Sequence, residues 1–182
     1  MNNHAHSYPK YAKIIHLGIA LFGTTAYLTA ELAEDSSSSL GYLVHAYLGL
    51  SLAAFMLVRI SAGLSSSPTL SFKGWSPFSR FQLKLVLEDF RSLLTLKVPE
   101  RDRHQGLAGI TQACGLILFT WMATTGTGLF FLEHESGPFE FVEEIHEIGE
   151  SLIPLYLLLH VGAVVLHTLI GHPIWQKMFA AR

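Results

Sequence analysis

Four stretches of the chain, residues 14–33, 40–60, 107–132 and 151–170, are almost continuously apolar. A helix that crosses about 30 Å of hydrocarbon needs roughly 20 residues, and each stretch has that length. Inside them only Glu31 and Arg59 are charged, and both sit near an end. Peptide groups find no water in lipid, so each stretch must be helical. The short linker at residues 35–39 makes the first two an antiparallel hairpin. The pattern predicts an all-α chain, an integral membrane four-helix bundle in one domain over residues 1–182. Its helices run at about 14–33, 40–60, 107–132 and 146–170, the last beginning ahead of the lipid after a turn at Gly137 and Pro138.

The long segment at residues 61–105 has a different pattern. It opens as "SAGLSSSPTLSFKGWSP", which reads as irregular chain. Its second half puts Leu83, Val86, Leu87, Phe90 and Leu94 on one helical stripe and Lys84, Glu88 and Arg91 on another. That amphipathic spacing predicts an interfacial helix, its basic groups near anionic headgroups. The segment is too small to hide a core of its own.

Composition agrees with a bilayer as solvent. Half of the residues are hydrophobic, 14% are charged, and mean hydropathy is +0.38. Charge then sets the orientation. All twelve basic residues lie before the first stretch, at or within residues 59–103, or after the fourth stretch. Glu31, Glu34, Asp35, Glu133, Glu135, Glu140, Glu143, Glu144, Glu147 and Glu150 occupy the other two loops, which contain no Lys or Arg. The excess of basic residues marks the cytoplasmic side, so both termini are expected there in a multi-pass protein. A cleaved signal peptide is the competing reading of the first stretch, but its removal would put the basic C-terminus across the membrane from the basic loop. Nothing in the pattern calls for a nucleic-acid partner. The single cysteine, Cys114, excludes an intrachain disulfide, a cysteine-ligated iron–sulfur cluster and covalent haem attachment, and reads as a small packing residue.

The candidate chemistry is in the histidines, of which there are ten. His4 and His6 lie in a polar leader; His104, His134 and His172 fall at or outside membrane boundaries, where an exposed imidazole needs no explanation. His172 could alternatively meet a quinone headgroup or a haem propionate. His16, His45, His146, His160 and His167 lie in or beside the apolar stretches. His146 and His160 are 14 residues apart, close to four helical turns and about 21 Å of rise, so they share a face at two depths. His45 begins the second stretch at the outer level of His146, and His16 begins the first at an inner level. Imidazoles facing each other at two depths suit two stacked b-type haems, each gripped from both sides. Depth alone also permits His16 with His167. The shorter separation favours His160, because His167 would stretch the spacing to about 31 Å. Arg59 and Lys13 reach the inner level, where each can pair with a haem propionate; snorkelling is the alternative for Arg59. Structural hydrogen bonding or a proton path would also account for isolated membrane histidines.

The chain resembles the bacterial cytochrome b561 superfamily, in particular the b-type cytochrome subunits of nickel–iron hydrogenases. "KIIHLGIALFGTTAYLTAE", "LVHAYLGLSLAAFMLVRI", "PERDRHQGLAGITQACGLILFTWMATTGTGLF" and "EEIHEIGESLIPLYLLLHVGAVVLHTLI" resemble its four helices in order. The resemblance implies two noncovalent haems b, with His45 opposite His146 and His16 opposite His160. It also implies an electron carrier of the bacterial inner membrane between ubiquinone or menaquinone and a periplasmic c-type cytochrome or dehydrogenase subunit. A superoxide oxidase that reduces ubiquinone shares this architecture, but its anionic substrate is poorly matched to outer loops without Lys or Arg. A haem-free membrane anchor or assembly subunit is the remaining alternative.

Overall fold

Serine starts three of the long helices. Ser39 Oγ accepts from the Tyr42 N–H at 3.0 Å, Ser79 Oγ from Gln82 at 3.2 Å and Ser136 Oγ from Phe139 at 3.3 Å, each satisfying an otherwise orphaned donor. In the computed structural model, which describes residues 8–33, 39–67, 69–76, 79–95, 105–132 and 136–179, the elements are all helical. They are α1 (Lys10–Leu28), a 3-10 turn (Ala30–Ala33), α2 (Leu40–Leu64), a second 3-10 turn (Phe72–Gly74), α3 (Arg80–Leu94), α4 (Leu107–Phe131), α5 (Gly137–Leu169) and α6 (Gln176–Phe179). His4, His6, His104 and His134 lie outside the described residues, as do Glu34, Asp35, Lys97, Arg101, Arg103, Glu133, Glu135 and Arg182.

Three of these helices, α2, α4 and α5, are long and apolar enough to cross a membrane. Four were expected from the hydrophobic pattern. The difference is α1, which spans 19 residues, takes in Lys10 and Lys13 in its first turn, and gives way to a 3-10 turn where the apolar stretch continues. The start of α5 also differs. Gly137 and Pro138 form its first turn instead of a separate bend, consistent with proline's fit to a helix N-terminus, so α5 extends well ahead of residue 146. The helix ends at Gly171, φ +90°, where the His172 N–H reaches the His167 carbonyl at 2.8 Å and the Gly171 N–H that of Thr168 at 3.1 Å. A left-handed residue with this pair of bonds closes the last turn, and glycine adopts it without strain.

Hydroxyls within the apolar helices bond back to their own backbone: Thr25 to Leu21 at 2.7 Å, Thr124 to Thr120 at 2.7 Å, Thr127 to Ala123 at 2.6 Å. These three hydroxyls then need no partner from lipid. Leu158, Leu159 and Val161 of α5 are 70%, 61% and 51% exposed, a surface suited to hydrocarbon and unsuited to water.

The described residues fall into two compact units. One comprises Ile14–Ser61 and Leu116–Leu155, with segments of α1, α2, α4 and α5. Glycines let these segments approach closely. A side chain at Gly18 would collide with the Phe55 ring, one at Gly23 would meet Phe119 at 3.0 Å, and one at Gly149 would meet the Met122 sulfur at 2.6 Å. Leu52, Met56, Leu118, Phe119, Met122 and Ile153 fill the interior.

The other unit draws on the described parts of Met1–Lys13, Ala62–Gly115 and Tyr156–Arg182. Within it the Tyr8 N–H donates to the Lys177 carbonyl at 3.1 Å, and burial raises the Tyr8 phenol above its usual range. Its principal feature is α3, whose polar residues Gln82 and Asp89 are buried with Leu85 while Leu83, Leu87, Phe90 and Leu94 are 50–71% exposed. The reason lies at the start of α4, which has no Ser, Thr, Asp or Asn of its own to cap it. Gln82 Oε1 accepts from the Gly106 N–H at 3.3 Å and Asp89 Oδ2 from the Leu107 N–H at 2.9 Å. Borrowed acceptors thus serve the helix's exposed donors and its positive end.

Candidate functional site

The segments of α2 and α5 in the first unit bring two histidine rings together edge-on. His45 lies in the second turn of α2 and His146 in the third turn of α5; both are half-buried. Their ring centroids are 6.4 Å apart and their planes are perpendicular, at 89°.

Each ring is held by the nitrogen on its inner side. His45 Nδ1 lies 3.0 Å from the backbone carbonyl of Ala26 in α1, which can only accept, so the nitrogen donates. His146 Nδ1 lies 2.7 Å from Thr125 Oγ1 in α4. With both Nδ1 atoms engaged, Nε2 is the free coordinating nitrogen on each ring.

The centroid separation alone would suit a metal held by both rings. Metal–imidazole bonds of about 2 Å on opposite sides of one ion place the two ring centroids roughly 6.3 Å apart. Among the described residues no three His, Cys, Asp or Glu side chains gather to hold a bare ion. Two axial imidazoles suit a macrocycle that brings its own equatorial nitrogens. A side chain at Gly49, one turn beyond His45, would meet no atom within 4 Å. Gly126 serves His146 differently, since a Cβ there would come within 3.2 Å of the His146 ring at Cε1. Trp121, one turn before Thr125, has a buried Nε1 without a hydrogen-bond partner among the described residues.

The remaining residues singled out from the sequence are found as follows. His16 is half-buried on α1 in the first unit. His160 belongs to the second unit, where its ring stacks on Tyr156 with centroids 5.6 Å apart and planes 12° from parallel. His167, also there, bonds back to the Ala163 carbonyl at 2.8 Å. Arg59 is 6% exposed within the first unit, a burial that simple snorkelling does not produce. Lys13 is half-buried in the second unit. Cys114 is exposed on α4, which corrects its reading as a packing residue; the close-packed position is its neighbour Gly115, against the Tyr156 hydroxyl.

Thr125 was not among the residues the sequence pointed to. Membrane-helix threonines ordinarily bond to their own backbone, as Thr125 also does, so nothing in the sequence separates it from Thr124 or Thr127.

Residues 7–181 match the family model described as prokaryotic cytochrome b561. No curated protein and no solved structure matches the chain.

Proposed function

The chain belongs to the prokaryotic cytochrome b561 family, and from that premise we propose that it is a dihaem b-type cytochrome carrying electrons between membrane quinone and an extracytoplasmic redox partner. Family membership carries b-type haem binding and electron transport in a membrane. The observation that supports the finer reading is the facing pair His45 and His146, with 6.4 Å between centroids and both Nδ1 atoms occupied.

In this reading His45 and His146 are the residues that would hold one haem b. A haem held there would supply a one-electron couple. The chain's own work is positional: the Ala26 carbonyl and the Thr125 hydroxyl fix ring rotation and tautomer, and the open space at Gly49 would leave a guest unobstructed at that one position. A second haem, held by His16 and His160 with Arg59 and Lys13 near its propionates, belongs to the same proposal on sequence spacing and family resemblance.

On the outer side, Glu140, Glu143, Glu144 and Glu147 are exposed along the first turns of α5, three and four residues apart. Such a stripe favours a partner with a basic contact surface, as around the haem edge of a c-type cytochrome, and repels superoxide.

The test is a reduced-minus-oxidised spectrum and haem-to-protein ratio of detergent-purified protein. Wild type is expected to bind two haems b, and His146→Ala and His45→Ala to retain one each. An unchanged spectrum and stoichiometry in both variants would remove the ligand assignment; no b-type absorbance in haem-replete wild type would remove the electron-transfer reading altogether.

A further inference from the structure

The two facing histidines are anchored unequally. His45 donates to a backbone carbonyl, an acceptor that no substitution of its own side chain can remove. His146 relies on one side-chain oxygen, Thr125 Oγ1 at 2.7 Å. A threonine hydroxyl has a single proton and can donate once while accepting through its lone pairs. Thr125 Oγ1 also lies 2.9 Å from the Trp121 carbonyl and 3.3 Å from that of Met122, both acceptors only. With its proton given to the helix backbone, its oxygen accepts from His146 Nδ1–H. This is also the arrangement that leaves the lone pair of His146 on Nε2.

We infer that Thr125 is the positioning residue for His146, fixing its tautomer and rotation and setting how strongly the imidazole donates to the group it ligates. The inference rests on the reading of His146 as an axial ligand. The relay from His146 Nδ1–H through Thr125 to the Trp121 carbonyl is polarised along its length, which strengthens each member. Gly126, next along α4, completes the slot, because a Cβ there would press on the same ring at 3.2 Å. Withdrawing the acceptor from Nδ1–H makes the imidazole a weaker donor and disfavours the oxidised metal, so the reduction potential rises. It also leaves a half-buried N–H without a partner, which favours rotation of the ring away from its site.

The experiment compares Thr125→Val, which keeps the shape and loses the hydroxyl, with Thr125→Ser, which keeps the hydroxyl. Both are made in the full chain, purified with haem, and read by redox titration of the b-type absorbance and by the ferric electron paramagnetic resonance spectrum. Thr125→Val is expected to keep both haems and to shift one couple positive by about threefold in the oxidised-to-reduced ratio, roughly 30 mV for one electron. Thr125→Ser is expected to titrate as wild type. If Thr125→Val instead loses one haem while Thr125→Ser keeps it, the positioning role is equally supported. Full occupancy with unmoved potentials in Thr125→Val overturns the inference, as does equal haem loss in both variants. Wild-type protein with no haem would overturn the ligand assignment beneath it, an outcome distinct from a silent Thr125→Val.

Discussion

Gly126 offers a residue-scale test of the site that does not touch a ligand. A Cβ there would stand 3.2 Å from Cε1 of His146, so the ring must shift by a few tenths of an ångström for alanine and further for valine. Overpacking of this kind costs about 1–3 kcal/mol. Spent on the ligand geometry, it corresponds to haem binding about 5- to 150-fold weaker. Gly126→Val is expected to lower the haem-to-protein ratio toward one, while Gly162→Ala, whose Cβ would meet nothing within 4 Å, leaves it unchanged. Equal ratios in the two variants would count against a ligand role for His146. At this scale the sequence was informative where chemistry is rare and mute where it is common. His45 and His146 announced themselves because an imidazole in an apolar stretch needs a reason. Thr125 and the Ala26 carbonyl carry no such mark, since every threonine has a hydroxyl and every residue a carbonyl.

Among the elements, α3 shows how a helix can be read correctly and its neighbours missed. Its alternating stripes made an amphipathic helix legible, and the exposed Leu83, Leu87, Phe90 and Leu94 fit the expected interfacial position. What spacing alone could not reveal is that the opposite face has a specific job. Asp89, 2% exposed, accepts from the Leu107 N–H because α4 begins at Leu107 without a capping side chain before it, and that pairing joins positions 18 apart in sequence. Helix limits were blurred for a related reason. Hydropathy marks where a helix can enter lipid, whereas α5 begins where Ser136 supplies a cap and Pro138 fits the first turn. The measurable consequence is that Asp89→Ala should cost about 0.5–2 kcal/mol, as loss of a helix cap does, and lower the unfolding midpoint in detergent. Asp89→Asn keeps an acceptor for the Leu107 N–H and should recover part of the loss. An unchanged midpoint in Asp89→Ala would mean that water or another group serves the start of α4 just as well.

For the molecule as a whole, the segregation of charge is the property with the longest reach. The twelve basic residues avoid the two acidic loops entirely, the kind of bias by which membrane segments orient, and in the proposed function it would give the two sides different partners. On α5 the exposed Glu140, Glu143, Glu144 and Glu147 concentrate negative charge on the side where a redox protein must dock in the proposed function. Attraction between such a stripe and a basic cytochrome acts mainly on encounter, so it should appear in the association rate and weaken as salt shortens the Debye length to about 8 Å at physiological ionic strength. Replacing Glu143 and Glu147 by Lys places repulsion in the middle of the stripe without altering His45, His146 or Thr125. With quinol-reduced protein and a basic c-type cytochrome as acceptor, this double variant is expected to slow second-order oxidation by roughly tenfold or more at low ionic strength, with the gap closing at high salt. Its haem content and extent of reduction by quinol should match wild type, which separates a docking defect from a damaged site. A rate indifferent to both salt and charge reversal would show that electrons leave by another surface or to a partner of different chemistry. The acidic stripe would then be only the solvated start of a membrane helix.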